Sequence, residues 1–170
     1  KDKNKIHVNP YQSPCGVLLL GSIGDKLCLC DWRTEKHSAR VDNRLKRMWN
    51  AEFEEGTSAV IESARQQLDE YFGRKAADIR YIAPVYGTDF QKTVWSELLK
   101  IPFGTSVSYG EVARRKADLA AVRAVANANG ANPMSIFVPC HRVIGSDRSL
   151  TGYGGGLGSK QRLLELEGVL

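Results

Sequence analysis

Cys140 stands in the run Pro139-Cys140-His141-Arg142, directly behind the apolar tripeptide Ile136-Phe137-Val138. Most free cysteines are small core hydrophobes, and a lone one carries no chemistry by itself. A thiol becomes a nucleophile as its thiolate, and a neighbouring His or Arg with partial exposure lowers its pKa. The tripeptide reads as a short buried strand, and the proline restricts the backbone just before the thiol. The pattern therefore predicts a held, reactive cysteine with two potential cations beside it.

A base needs an orienting partner, and the C-terminal helix expected over Ser159 to Glu167, stopped by Gly168, offers one. At about 100° per residue, Leu163, Leu164 and Leu166 define its buried face. Glu167 falls near the centre of that face, and Glu165 points away. A carboxylate in an apolar setting needs a cation or hydrogen-bond donor, so Glu167 is the candidate to orient His141.

The elements that must position these groups divide into two units, 1–84 and 85–170. In the first, residues 6 to 32 read as a three-stranded meander with turns at Ser13–Gly16 and Gly21–Asp25, forming a sheet covered on one side. Cys28 and Cys30 alternate in the third strand and are expected on one face. Residues 33 to 55 are strongly charged, with few apolar anchors, and predict a short helix and a mobile loop. Helical spacing from Thr57 to Phe72 and a strand over Ile79–Ala83 complete a small α/β unit in which nothing looks catalytic.

The second unit opens on the capping box Thr88-Asp89-Phe90-Gln91, followed by a helix with Phe90, Val94, Trp95, Leu98 and Leu99 along one face. Another box, Ser108-Tyr109-Gly110-Glu111, starts a short helix and puts the Tyr109 hydroxyl in its exposed first turn. A third helix, Leu119 to Asn129, completes a helix-turn-helix pattern. Its core face is Leu119, Val122, Val125 and Ala126. The other side is nearly bare (Ala120, Ala124, Asn127, Ala128), with Arg123 at its edge. A bare face suits a helix packed on both sides, or one that approaches a nucleic-acid backbone closely while an arginine reaches into the minor groove.

Composition fits an ordinary globular chain, with 42% hydrophobic and 25% charged residues among 170. No stretch reaches the ~18–20 apolar residues of a membrane span, so no membrane association is expected. The Lys-rich start lacks a signal peptide's apolar run, so Cys15, Cys28, Cys30 and Cys140 are expected to be reduced thiols in the cytoplasm, or in the nucleus of a eukaryote. A net charge of +5 and a pI near 9.1 suit a polyanionic partner.

Pro139-Cys140-His141-Arg142, with Asn132-Pro133 before it and Gly152-Tyr153-Gly154-Gly155-Gly156 after it, resembles the active-site signature of the O6-alkylguanine-DNA alkyltransferases. The match covers roughly residues 88 to 168, and the Ser13–Gly16 turn is similar to the family's N-terminal domain. The resemblance implies an α/β (α+β) fold: a small ribonuclease H-like N-terminal domain and a winged-helix-like C-terminal domain. It implies direct transfer of an alkyl group from O6-alkylguanine to Cys140, once per chain and irreversibly, and leaves O4-alkylthymine open as a second substrate.

His141 and Glu167 are implied as the groups that deprotonate Cys140, Asn132 as a hinge and Tyr109 as a proton donor. Contacts to DNA are implied for the finger Arg123 and for Tyr109, Gly110, Ala124 and Ser146. Met134, Ser135, Val143, Tyr153 and Gly154 would line the alkyl pocket. The partner is double-stranded DNA carrying the lesion, bound through the minor groove by a monomer, with no cofactor. Some members hold a structural zinc, but Cys28 and Cys30, one residue apart on a strand, close a tetrahedral site with Cys15 and His7 poorly, so no metal is expected.

The chain departs from the family's pattern twice. Lys116-Ala117-Asp118-Leu119 replaces a Gly-x-Pro turn, and Arg148 stands where glycine is common. Two other functions fit parts of the pattern. A damage-sensing DNA-binding module would lack the cysteine, and a cysteine hydrolase would need an oxyanion site that the sequence does not offer.

Overall fold

The meander forms as β1 (Asn4–Ser13), β2 (Gly16–Ile23) and β3 (Lys26–Trp32), paired antiparallel in sequence. The computed structural model describes residues 3–75, 86–116 and 122–170. The strand expected over Ile79–Ala83, the unit boundary at 84/85 and the departure from the Gly-x-Pro pattern beyond Lys116 lie outside the described residues.

Several expectations for the first unit are overturned. The charged stretch after β3 is a full helix, α1 (Glu35–Met48), and a strand, β4 (Ala51–Glu55), which pairs parallel with β1 and gives the order β3-β2-β1-β4. Val41 and Leu45, one turn apart, are buried at 2% and 0% exposure; that one stripe docks a helix that is otherwise polar. The sheet is thus covered on both sides, by α1 on one and by α2 (Ala59–Glu70) on the other. Ser58 caps α2 by accepting from the Ile61 N–H at 3.2 Å, and a π-helical turn, Tyr71–Lys75, follows.

Cys28 and Cys30 do not share a face. The register between β2 and β3 shifts at Gly21/Ser22, leaving Cys28 as an extra residue, and a bulge of this kind reverses the alternation beyond it. Cys28 therefore packs with Val41 and Leu45 under α1. Cys30 joins the opposite core with Ile61, Met134 and Cys140.

In the second unit, α3 (Asp89–Leu98) carries the predicted capping box, with both reciprocal bonds formed at 3.1 and 3.0 Å. Phe90, expected on its buried face, is 39% exposed, because that face turns through Val94, Trp95 and Leu98. Two-residue strands β5 (Val107–Ser108) and β6 (Val143–Ile144) pair parallel and bring α4 (Tyr109–Lys116) beside the cysteine segment. The second capping box forms only in half: Ser108 Oγ accepts from the Glu111 N–H at 3.0 Å, while the Glu111 carboxylate takes Arg115 at 3.0 Å. Helix α5 (Val122–Gly130) packs on α3 and α4, and α6 (Leu157–Leu166) closes the unit.

The α5 face is as bare as expected at Arg123, Ala124 and Asn127, all exposed. Ala128 is an exception at 3% exposure, because its carbonyl accepts from the Trp95 indole at 2.9 Å. Leu119 and Ala120 lie outside the described residues. Among the described residues no helix is long and apolar enough to cross a membrane, and no cluster of three or more His, Cys, Asp or Glu is arranged to hold a metal.

Candidate active site

The segment before Cys140 is a tight turn and not the expected strand. Ser135 donates to the Cys30 carbonyl at 2.7 Å, and Cys30 donates to the Pro133 carbonyl at 2.9 Å, so Met134 and Ser135 extend the β3 edge. The chain then reverses through Ile136, whose φ of 74° is left-handed. For a β-branched residue this costs about 1–3 kcal/mol, and burying Ile136 and Phe137 fully returns about 1.5–3 kcal/mol for each. Asn132 pins the turn, donating to the Val138 carbonyl at 3.0 Å and accepting from the Met134 N–H at 3.0 Å.

Cys140 to Arg142 form a single 3-10 turn, with Asn129 donating to the Cys140 carbonyl at 3.2 Å. The thiol lies at the base of a slot lined by Asn129, Asn132, Ser135, Tyr153, Gly154 and His37. A wider groove outside it runs between α1 and α5, past Tyr109, Asn127 and Thr151. Tyr109, expected in an exposed first turn, is half-buried against this groove, and burial raises its phenol pKa. It stays a proton donor. Met134 and Val143 are fully buried and line neither cavity; they back the slot from the core. Gly110 and Ser146 are neighbours at the start of α4, and Ser146 is exposed.

The thiol is not the low-pKa group its neighbours suggested. Burial pushes Cys140 up to about 11, only partly offset by the Asn132 amide and the Lys160 charge. The two adjacent side chains are both engaged by Glu167. His141 Nε2 lies 2.7 Å from Glu167 Oε2, and Arg142 donates to Glu167 at 2.8 and 3.1 Å and to the Ile101 carbonyl at 2.7 Å. The Tyr71 hydroxyl donates to the same carboxylate at 2.5 Å, and the Gly104 N–H at 3.3 Å. Burial alone would raise the Glu167 pKa, but His141 and Arg142 overcome it and hold the carboxyl at about 2.

Burial also lowers the His141 pKa, so the ring is neutral. Because Glu167 is an ionised acceptor, the ring proton sits on Nε2. Nδ1, buried and without a hydrogen-bond partner among the described residues, carries the lone pair. The ring is thus held by Glu167 through Nε2, with the unprotonated Nδ1 fixed in orientation.

Lys160 went unnoticed in the sequence. It is fully buried, donating to the carbonyls of Val143 at 2.6 Å and Thr151 at 2.9 Å, and burial brings its pKa down to about 8. Its signal was available: it precedes Glu167 by two helical turns on the same face as Leu163 and Leu164.

The first unit also takes part, against expectation. Trp32 donates to the Tyr153 hydroxyl at 2.9 Å, and Thr34 donates to the Gly154 carbonyl at 2.9 Å. A Cβ on Gly154 would run into the His37 ring, and one on Gly155 into the Trp32 indole. These glycines permit that approach. Arg148 has a left-handed φ of 69°, which accounts for the glycine common there.

A family model, 6-O-methylguanine DNA methyltransferase, DNA binding domain, matches residues 89–169. A methylated-DNA–protein-cysteine methyltransferase of Mycobacterium leprae is 41% identical, covering 95% of this chain and 92% of that protein. One from Haemophilus influenzae is 38% identical over 96% and 87%. A crystal structure of Mycobacterium tuberculosis OGT in complex with DNA superposes with a TM-score of 0.74 at 40% identity, covering 95% of this chain and 92% of that one. With that identity along nearly the whole length of each partner, the chain belongs to the methylated-DNA–protein-cysteine methyltransferases.

Proposed function

We propose that the chain repairs DNA by moving the alkyl group of an O6-alkylguanine, turned out of the duplex, onto Cys140, once and irreversibly. The observation that carries this is the slot above Cys140, opening beside Tyr109 and the bare face of α5, next to a neutral His141 whose free nitrogen is set by Glu167. His141 Nδ1 takes the Cys140 proton through a bridging water. Sulfur attacks the alkyl carbon, the S–C bond forms as the C–O6 bond breaks, and the electron pair passes into the guanine ring. Tyr109 donates a proton to that ring as the charge develops. The thioether has no leaving group for water to displace, so the chain stops. O4-alkylthymine would enter by the same route.

The Cys140 pKa near 11 supports a thiolate made on demand in the complex and not one stored in the free protein. Titration of the protein with excess duplex carrying O6-methylguanine is expected to give a burst equal to the protein present and then nothing more. Peptide mass mapping should put the methyl group on Cys140. Sustained turnover, or the mass on Cys15, Cys28 or Cys30, would overturn the reading.

DNA is bound as a duplex, by a monomer, through the minor groove. Arg123 is exposed, has no hydrogen bond or ion pair among the described residues, and stands beside Ala124 and Asn127, so a phosphate backbone can come close while the guanidinium fills the vacated stack. Arg123→Ala is expected to slow repair in duplex DNA about tenfold or more, since extruding a base costs a few kcal/mol, with little effect on transfer from the free base. Equal losses on both substrates in single-turnover assays would make Arg123 structural.

A further inference from the structure

We propose that His37, carried by α1 of the first unit, is the specificity-determining wall of the alkyl pocket and sets how large an O6 substituent reaches Cys140; this rests on the alkyl-transfer reading above. His37 lines both the slot around Cys140 and the groove outside it. The free space in the slot is about 10 Å³, room for roughly one water, so an alkylated base enters only if a wall gives way.

Three of the other walls are tied down. Asn132 makes two hydrogen bonds inside its own turn, Tyr153 is held by Trp32, and the Gly154 carbonyl is held by Thr34. Among the described residues, His37 has a single side-chain hydrogen-bond partner, Asp31, at 3.0 Å from Nε2. Its ring lies against the backbone of Gly154, where no Cβ fits. Asp31 is fully buried, and its pairing with His37 keeps the ring across the slot. With both ring and loop in place, a compact substituent reaches Cys140 with a small displacement, while a planar bulky one must push His37 off Gly154.

The test compares wild type, His37→Ala and His37→Asn on duplexes carrying O6-methylguanine or O6-benzylguanine, reading the rate at which each mass appears on Cys140. The benzyl-to-methyl rate ratio is expected to rise about tenfold or more in His37→Ala, the range over which a pocket discriminates by bulk, and to rise less in His37→Asn. A ratio unchanged from wild type, with both rates moving together, would make His37 merely structural and overturn the inference while leaving alkyl transfer intact. If His37→Ala, which strands the Asp31 carboxylate, melts below the assay temperature, Asp31→Asn combined with His37→Ala removes the stranded charge and is judged by the same ratio. Absence of any transfer to Cys140 in wild type, from either duplex, would overturn the alkyl-transfer reading and this inference with it.

Discussion

Cys140→Ser is expected to bring alkyl transfer below detection while the protein still folds and still binds duplex DNA. Loss of a nucleophile reaches ~10⁶ in rate where it has been measured in enzymes, and here the loss should be near complete. A hydroxyl is a poor nucleophile without full deprotonation, and the neutral His141 is too weak a base to achieve it. Sulfur is also the softer attacking atom for a saturated carbon. The substitution changes volume little, but it places a hydroxyl in a slot where Cys140 is 4% exposed. An unpaired buried hydroxyl costs about 1–3 kcal/mol, and the Asn132 amide, which already favours the Cys140 thiolate, can offset part of that. DNA binding should be unaltered, because Arg123 and Ala124 lie on the exposed face of α5. Transfer in the serine variant above a thousandth of the wild-type rate, measured by mass on the protein, would move the nucleophile elsewhere.

How much of this was legible in the sequence depended on whether a signal was local. The α3 capping box and the apolar face of α6 obey helical spacing, and the centred position of Glu167 foretold a buried carboxylate in need of a partner. The Asn132–Val138 turn was misread because Ile136-Phe137-Val138 has strand composition, and its left-handed φ at Ile136 is imposed by the bonds between Cys30 and the 133–135 backbone. Those partners lie about a hundred residues apart, where no periodicity reaches. The same limit hid the first unit's contribution. Trp32, Thr34 and His37 meet the glycine loop only because the end of β3 and the start of α1 deliver them there. The thiol pKa was misjudged for a related reason: adjacency in sequence suggested that His141 and Arg142 face Cys140, whereas the 3-10 turn sends both to Glu167.

Glu167→Gln is expected to destabilise the fold by about 3–5 kcal/mol, the range for breaking a buried ion pair and leaving one charge uncompensated, and to slow transfer separately. The Arg142 and Glu167 side chains are both fully buried, so a neutral amide removes the negative charge opposite the guanidinium and keeps only those hydrogen bonds that Gln can still accept. The amide can also donate to His141 Nε2. That allows the proton to move to Nδ1, where it would block acceptance of the Cys140 proton. Stability against pH separates the contributions. Glu167 has a folded pKa near 2 against an ordinary 4.5, so its contribution is fully present above about 4.5 and is lost as pH falls toward 2. His141 has a folded pKa below 6.5, so the unfolded chain takes up a proton first and stability begins to decline as pH drops below 6.5. Denaturant melts at a series of pH values should show the variant weaker at pH 7 and without the wild-type loss between pH 4.5 and 2. Arg142→Met combined with Glu167→Gln should recover part of the stability, since the stranded charge is gone, without recovering the transfer rate, since the His141 tautomer remains unset. A single variant within ~1 kcal/mol of wild type, the lower end of what an unmade buried hydrogen bond costs, with an unchanged single-turnover rate, would show that Glu167 neither holds this core together nor orients the base.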